Sequence, residues 1–219
     1  MKILAFDTAA RACSAALFED GRILASRLRE MERGQAEVLL DVVQEVLAEA
    51  GASFAGLDRL ATTLGPGSFT GLRVGLAAAR GLALAGDLPV VGVTTFEAVA
   101  HGVTAVEREG RLLLVALDTK RGDLYVQAFD STLTPLAEGE VLAPAACARF
   151  EGEGPLLIVG DGASLLREVF GQNSRAVRWS EAPGHPEAAV IARLAAAREP
   201  SPALRPIYLR PPEARLPDG

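Results

Sequence analysis

The sequence contains few of the side chains from which metal and disulfide sites are built. It has two cysteines, Cys13 and Cys147, and two histidines, His101 and His185. Two cysteines far apart are too few for a disulfide framework, and neither histidine has a second His or a Cys at ligand spacing. We therefore expect no metal to be bound by this chain. Cys13 lies in an apolar run and should be a small core residue.

Long uncharged apolar runs are also absent. No stretch of about 18 apolar residues lacks charges or glycines, which predicts that no helix spans a membrane. The N-terminus becomes acidic at Asp7, before a signal-type segment could form, so we expect a cytoplasmic protein without membrane contact. A content of 49% hydrophobic and 23% charged residues is typical of a soluble globular protein.

Lysine is scarce, and the basic residues do not cluster. Of 22 basic residues only Lys2 and Lys120 are lysines, and the net charge is −6. Because neutralisation of phosphates supplies much of the affinity of a nucleic-acid-binding protein, the isolated chain should bind RNA weakly at best.

The most distinctive stretch is Gly65-Pro66-Gly67-Ser68-Phe69-Thr70-Gly71-Leu72-Arg73-Val74-Gly75, between a strand-like run and an Ala- and Leu-rich helix. A Gly-rich turn before a helix can bind an anion through free backbone N–H groups. The P-loop pattern fails because Lys followed by Ser or Thr is missing. The dinucleotide pattern fails because its third glycine comes one place late. We favour the alternative that these glycines serve packing against a partner helix.

Two helices are predicted to form a partner surface. Small residues recur at helical spacing in the helix at 71–85, which leaves one side nearly bare for the approach of another backbone. The helix at 34–50 has a wider apolar arc than one sheet can bury. We predict that the two helices form a side-by-side ridge. This ridge should pair with the same ridge of a second copy in a homodimer, and a homologous partner should replace that copy to form a heterodimer. The candidate interface residues are Val38, Val42, Gly71, Gly75, Ala78, Ala79 and Leu82.

The same opening pattern occurs twice in the chain. An apolar run ends at Asp7-Thr8, another ends at Asp118-Thr119, and each is followed by a short loop and a strand. This predicts two α/β lobes with mixed sheets, residues 1–102 and 103–219, that meet near residues 96–110. The end of the second lobe is a Pro-rich tail. The pattern leaves open on which lobe the last helix, at 187–198, packs.

The hairpins that open each lobe have two interpretations. A short carboxylate and a hydroxyl at such a turn can face a phosphate or its metal, or they can hydrogen-bond the backbone of their own turn. A second Gly-rich turn follows the buried strand at 156–159. The candidate phosphate or nucleotide positions are Asp7, Thr8, Asp118, Gly160 and Gly162.

Two α/β halves that each open with a strand-Asp-Thr hairpin resemble the plan of the actin-like ATPase superfamily, the two-lobed, ribonuclease H-like ASKHA fold. Residues 65–75 are similar to the signature of the TsaB (YeaZ) family. Asp7-Thr8 and the segments 118–125, 160–162 and 206–210 follow that family's order and spacing. Two departures are Ala9, where Ser is more usual, and Gly34-Gln35-Ala36 in place of a His-containing stretch.

The resemblance implies a role in tRNA modification. Members of the family are similar to TsaD, which transfers threonylcarbamoyl to the adenosine beside the anticodon, but the His-x-x-x-His metal site of TsaD has no counterpart here. The resemblance therefore implies a non-catalytic partner of TsaD and of the ATPase TsaE, with contact to tRNA only through the complex. It implies no cofactor beyond vestigial nucleotide binding. The alternative is an ATP-dependent phosphotransferase or hydrolase that uses Asp7 and Asp118 around magnesium.

Overall fold

The computed structural model describes residues 1–152, 154–171, 176–201 and 203–210, which form two mixed five-stranded sheets. The prediction of two α/β halves, rather than one continuous parallel sheet, is confirmed. The strands of the first sheet are β1 (Lys2–Asp7), β2 (Ala12–Glu19), β3 (Arg22–Glu30), β4 (Arg59–Gly65) and β5 (Val90–Thr94). The strands of the second sheet are β6 (Leu112–Asp118), β7 (Leu124–Phe129), β8 (Glu140–Leu142), β9 (Leu156–Val159) and β10 (Val177–Trp179).

The first sheet has the order β3-β2-β1-β4-β5. Strands β1, β2 and β3 form an antiparallel meander, whereas β4 is parallel to β1 and β5 is parallel to β4. The turn from β2 to β3 is made by Asp20 and Gly21, whose φ angles are 46° and 89°. Two left-handed residues in an Asp-Gly pair are typical of a tight hairpin, so the meander follows from the local sequence.

The second sheet repeats this arrangement in the order β10-β9-β6-β7-β8. Its first strand, β6, is antiparallel to β7 and parallel to β9. Asp7 and Asp118 end the equivalent strands β1 and β6, which confirms the predicted repeat. The short edge strands β8 and β10 were not predicted, because three residues are too few for an alternating pattern to be visible.

The helices begin and end at residues with suitable conformations. Gly34, with a φ of 93°, precedes the first helix, and the Ser68 hydroxyl accepts a hydrogen bond from the Gly71 N–H at 3.2 Å at the start of the second. The described α-helices are α1 (Gln35–Glu49), α2 (Phe69–Gly86), α3 (Thr95–Ala100), α4 (Ala105–Arg108), α5 (Arg167–Phe170) and α6 (Ala188–Ala196).

Helices cover both faces of the first sheet. On one face α1 and α2 lie side by side over a shared core, as predicted. On the other face α6 packs through Ile191 and Ala195 against Ile3 and Ala5 of β1. The last helix, which belongs to the predicted second lobe at 103–219, therefore packs on the first sheet. The division at residue 102 stays a prediction.

The segment 203–210 also returns to the first lobe. Leu204 is buried in the core under α1 and α2, and the Ile207 N–H donates to the Leu64 carbonyl at 2.7 Å. Arg210 then forms an ion pair with Asp123 of the second lobe. The segment thus contacts both lobes. Residues 211–219, the end of the predicted Pro-rich tail, lie outside the described residues.

Two further expectations concern apolar packing. Cys13 is fully buried in the core beneath α1 and α2, which confirms its prediction as a core residue. Within the part of the chain that the structure describes, no helix has both the length and the apolar character needed to cross a membrane.

Candidate functional site

Asp7 and Thr8 are held inside the first lobe. The buried Asp7 carboxylate accepts hydrogen bonds from the Thr63 hydroxyl and, at 3.1 Å, from the Ala9 N–H. The Thr8 hydroxyl donates to the Gly71 carbonyl at 2.7 Å. Burial raises the pKa of Asp7 to about 6, although its hydrogen-bond donors act to lower it. Only the Ala9 bond is that of the turn interpretation, since Thr63 and Gly71 lie far away in sequence. Both side chains are buried, so a phosphate could reach them only if this part of the lobe opened. A phosphate role for them stays a prediction.

The glycines of residues 65–75 bring α2 against this same turn. A Cβ atom at Gly67 would lie 2.6 Å from the Ala9 carbonyl oxygen, and one at Gly71 would lie 2.0 Å from the Thr8 carbonyl oxygen. A Cβ at Gly75 would lie 2.8 Å from the Thr8 hydroxyl. Only glycine permits such an approach. The packing interpretation is therefore confirmed, but the contact is with a turn of the same chain and not with a partner helix.

This inward contact corrects part of the predicted partner surface. Gly71, Gly75 and Ala79 are buried against the first lobe, and Val42 of α1 is fully buried in its core. A partner cannot touch these residues in this conformation. The bare side of α2 is used within the chain, because the turn after β1 approaches where side chains are missing.

The outer faces of α1 and α2 still expose apolar side chains. Val38, Ala78 and Leu82 are half-buried, whereas Leu40 is 53% exposed and Leu84 is 88% exposed. We call these five residues the helix ridge. Large exposed apolar side chains on two helices that pack side by side can belong to a protein-binding surface.

In the second lobe, Asp118 lies in a cluster with Lys120 and Asp161. The Lys120 Nζ lies 2.8 Å from Asp118 Oδ2 and 3.0 Å from Asp161 Oδ2. The Asp118 N–H donates to Asp161 Oδ1 at 2.9 Å, and the Lys120 N–H donates to Asp118 Oδ1 at 2.6 Å. Partial burial acts to raise the pKa of Asp118, but the hydrogen bonds from Lys120 outweigh it and hold this pKa below its usual value.

Gly160 and Gly162 shape the loop that carries Asp161. Gly160 has a φ of 122°, and a Cβ there would lie 2.0 Å from the Ala116 carbonyl oxygen. A Cβ at Gly162 would lie 2.4 Å from the Leu124 side chain. The two glycines let the loop pass close to β6, which places Asp161 beside Asp118. Their phosphate role stays a prediction, and their observed role is to position the loop.

A cleft of about 730 Å³ lies between the two lobes. The start of α2 and Thr95 line it on one side, Leu117 and Tyr125 line it on the other, and the C-terminal segment adds Tyr208. Of the five predicted phosphate positions, only Asp118 is among the described residues that line it. A concave cleft of this size, lined by both apolar and charged side chains, can hold a small ligand. Its charged lining residues are Arg11, Glu32, Arg33, Asp118, Lys120, Arg121, Asp161 and Arg210.

Sequence reasoning missed Lys120 and Asp161 as cleft residues. A signal was available for both: Lys120 is one of two lysines and directly follows the second Asp-Thr pair, and Asp161 stands between two predicted loop glycines. The aromatic pair Phe69 and Tyr208, with ring centroids 5.6 Å apart, gave no such signal because its members are distant in sequence.

Metal-ligating side chains do not gather into a site within the described ranges. Within residues 1–152, 154–171, 176–201 and 203–210, no group of three or more His, Cys, Asp or Glu is arranged to hold a metal ion. The free cysteines Cys13 and Cys147 are both buried.

Comparison with known proteins adds the family context. The family model described as "TsaD: tRNA N6-adenosine threonylcarbamoyltransferase" matches residues 29–169. The tRNA threonylcarbamoyladenosine biosynthesis protein TsaB of Escherichia coli is 38% identical over 140 residues, or 64% of this chain. That match spans 60% of the E. coli protein, so the chain covers less than two thirds of this relative's length.

Solved structures support the same relationship. YeaZ from Pseudomonas aeruginosa superposes with a TM-score of 0.80 at 28% identity, over 95% of this chain and 99% of that one. The activator of 2-hydroxyisocaproyl-CoA dehydratase from Clostridium difficile, with bound ADPNP, superposes with a TM-score of 0.51 at 11% identity, over 92% and 100% of the two chains. The second likeness concerns the fold alone, and it confirms the predicted actin-like ATPase fold.

Proposed function

We propose that this chain, which belongs to the TsaB (YeaZ) family, is a non-catalytic partner of TsaD. The TsaD family model also matches this chain, over residues 29–169. In this proposal the chain works with TsaD and TsaE in the cytoplasm to form threonylcarbamoyladenosine beside the anticodon of tRNA. It contacts tRNA only through the complex. The net charge of −6 supports the absence of an independent RNA-binding role.

The observation that carries the proposal is the helix ridge. Leu84 is 88% exposed on a helix whose opposite side is packed against its own lobe, and Leu40 is 53% exposed on the adjacent helix. Burial of one leucine side chain contributes about 2 kcal/mol to association. A homologous protein could present an equivalent helix pair and complete a four-helix contact. The same ridge would then serve TsaD and, by a two-fold isologous contact, a homodimer of this chain in isolation.

Leu84→Arg should weaken both contacts by about tenfold or more, because an unpaired charge would have to be buried at the interface. Self-association is measured by light scattering, and binding to purified TsaD is measured by calorimetry. The fold should be unaffected, since the Leu84 side chain is exposed. Gly75→Arg and Ala79→Arg would not test the interface, because both residues are buried and these changes would disturb the fold.

The matched control is Leu136→Arg, at a leucine of the second lobe that is 53% exposed. This variant should bind TsaD and self-associate like the unmodified chain. Equal weakening by Leu136→Arg and Leu84→Arg, or no weakening by either, would contradict the ridge as the interface.

The absence of catalysis is tested separately. The isolated chain should release no phosphate from magnesium-ATP above a buffer control, whereas tRNA modification by TsaD and TsaE should require the chain. Sustained phosphate release by the isolated chain, abolished in Asp118→Asn, would favour an ATP-dependent enzyme instead.

A further inference from the structure

The segment 204–210, which we call the strap, is fixed firmly at its first-lobe end. Leu204 is only 8% exposed in the core beneath α1 and α2, and its carbonyl accepts a hydrogen bond from the Arg80 side chain. The Ile207 N–H donates to the carbonyl of Leu64 in β4 at 2.7 Å. Because a buried leucine and a backbone bond to a sheet strand do not depend on surface charge, this end is a lasting anchor.

The second-lobe end of the strap is held by contacts that are more easily broken. Arg210 forms an ion pair with the Oδ2 atom of Asp123, and the two side chains are 25% and 22% exposed. Leu209 is half-buried against the apolar core of the second lobe. A partly exposed ion pair is weakened by salt and contributes modestly to stability. This end can therefore be released while the first-lobe end stays in place.

The strap forms part of the wall of the cleft. Ile207, Tyr208 and Arg210 line it, and Tyr208 packs against Phe69 at the start of α2, with ring centroids 5.6 Å apart. A Cβ at Gly65 would lie 2.7 Å from the Ile207 carbonyl oxygen, so the strap runs close to the end of β4. Any displacement of the strap therefore changes the shape of the cleft.

A different kind of contact joins the lobes where the chain first passes from one to the other. Helix α3 follows β5 directly, and its Phe96 and Val99 are buried in the core of the second lobe together with Leu113 and Val115 of β6. This contact is apolar and buried, so the loss of a surface ion pair leaves it intact. Domains that close on a cleft commonly move about a few residues at such a connection.

We propose that the strap holds the two lobes in one orientation and sets the opening of the cleft between them. Leu204 is its fixed anchor, the pair of Arg210 and Asp123 is its releasable contact, and α3 is the hinge. When the pair is broken, the lobes move about α3, and the cleft becomes wider and more variable. This inference is independent of the partner role, since it concerns only contacts between the lobes of this chain.

Loss of the ion pair should free the lobes. Arg210→Gln removes one charge, and Asp123→Asn removes the other while its Oδ1 atom can still accept the hydrogen bond from the Thr119 hydroxyl. The separation of the lobes is measured by pulsed electron paramagnetic resonance between spin labels at Ser26→Cys and Ser164→Cys, which replace exposed serines of the two lobes. Each variant should broaden the distribution of label distances and shift its mean.

Matched variants test whether the effect belongs to the ion pair. Arg210→Lys keeps the charge and should keep the narrow distribution. Arg205→Gln removes a charge from an exposed residue of the same strap and should also leave the distribution unchanged. Cys13 and Cys147 are buried, so the labels should attach to the introduced cysteines. Chains with one introduced cysteine identify any distances that arise between two copies.

Hydrogen exchange of the Ile207 amide separates release of one end from loss of the whole strap. This amide should stay protected in Arg210→Gln, because its bond to Leu64 belongs to the fixed end. The proposal is overturned if Arg210→Gln and Asp123→Asn leave the label distances unchanged, or if Arg205→Gln broadens them equally. It is also overturned if Arg210→Lys behaves like Arg210→Gln, or if the Ile207 amide loses its protection.

Discussion

Gly71→Ala should destabilise the fold by about 3 kcal/mol, because overpacking at a site that cannot relax costs about that much. The added Cβ would lie 2.0 Å from the carbonyl oxygen of Thr8. The obstacle is backbone at the end of β1, and it cannot rotate away as a flexible side chain could. If α2 moved outward instead, it would lose the 2.7 Å hydrogen bond from the Thr8 hydroxyl to the Gly71 carbonyl. Urea unfolding at neutral pH measures the effect.

Gly81→Ala is the matched control in the same helix. Nothing lies within 4 Å of a Cβ at this position. Alanine is favoured over glycine in a helix interior by about 1 kcal/mol, so Gly81→Ala should stabilise the fold slightly. If Gly71→Ala lowers the free energy of unfolding and Gly81→Ala raises it, the loss at Gly71 comes from the close contact and not from helix propensity. Equal stability of Gly71→Ala and the unmodified chain would contradict the close packing of α2 on the turn after β1.

The buried carboxyl of Asp7 should make the fold less stable as the pH rises from about 4 to 7. Burial raises the pKa of Asp7 from 3.8 to about 6, so the folded chain binds this proton more tightly than the unfolded chain does. The contribution is fully present below pH 3.8 and is lost as the pH rises through about 6. A pKa difference of this size corresponds to about 3 kcal/mol.

The contribution of Asp7 can be isolated with Asp7→Asn. Carboxyls whose pKa is lowered on folding, such as Asp118 and Glu97, change stability in the opposite direction with pH. Their contributions cancel when the unmodified chain and Asp7→Asn are compared at each pH. The difference in unfolding free energy between the two should shift by about 2 kcal/mol from pH 4 to pH 7, in favour of the variant. Parallel stability curves would show that Asp7 titrates as it does in an unfolded chain.

Local patterns were sufficient for the framework of the fold. The alternating apolar residues of β1 and β2, the Asp20-Gly21 turn and the spaced apolar residues of α1 each specify their element within a short window. The repeated Asp-Thr pattern predicted that each sheet opens with a hairpin, and both sheets do. The glycine spacing on α2 predicted a close backbone contact, which the structure contains.

The identity of contact partners could not be read from the same patterns. Periodicity shows which side of a helix is small or apolar, but it does not show what covers that side. For α2 the cover is the turn at Thr8, so Gly71 and Gly75 point inward, and the surface available to a partner is marked by the exposed Leu40 and Leu84. The apolar residues of α6 are similarly compatible with either sheet, and the structure places them on the first.

The sequence by itself determined that each half opens with a strand ending in Asp-Thr and that the glycines of residues 65–75 permit a close backbone contact. It also determined the family to which the chain belongs. Tertiary structure alone decided that Asp7 is buried while Asp118 lines the cleft. It also brought Lys120 to Asp161, 41 residues further along the chain. The physical reason is that burial and charge pairing depend on which distant segments meet, whereas strand, turn and helix formation depend on neighbours in sequence.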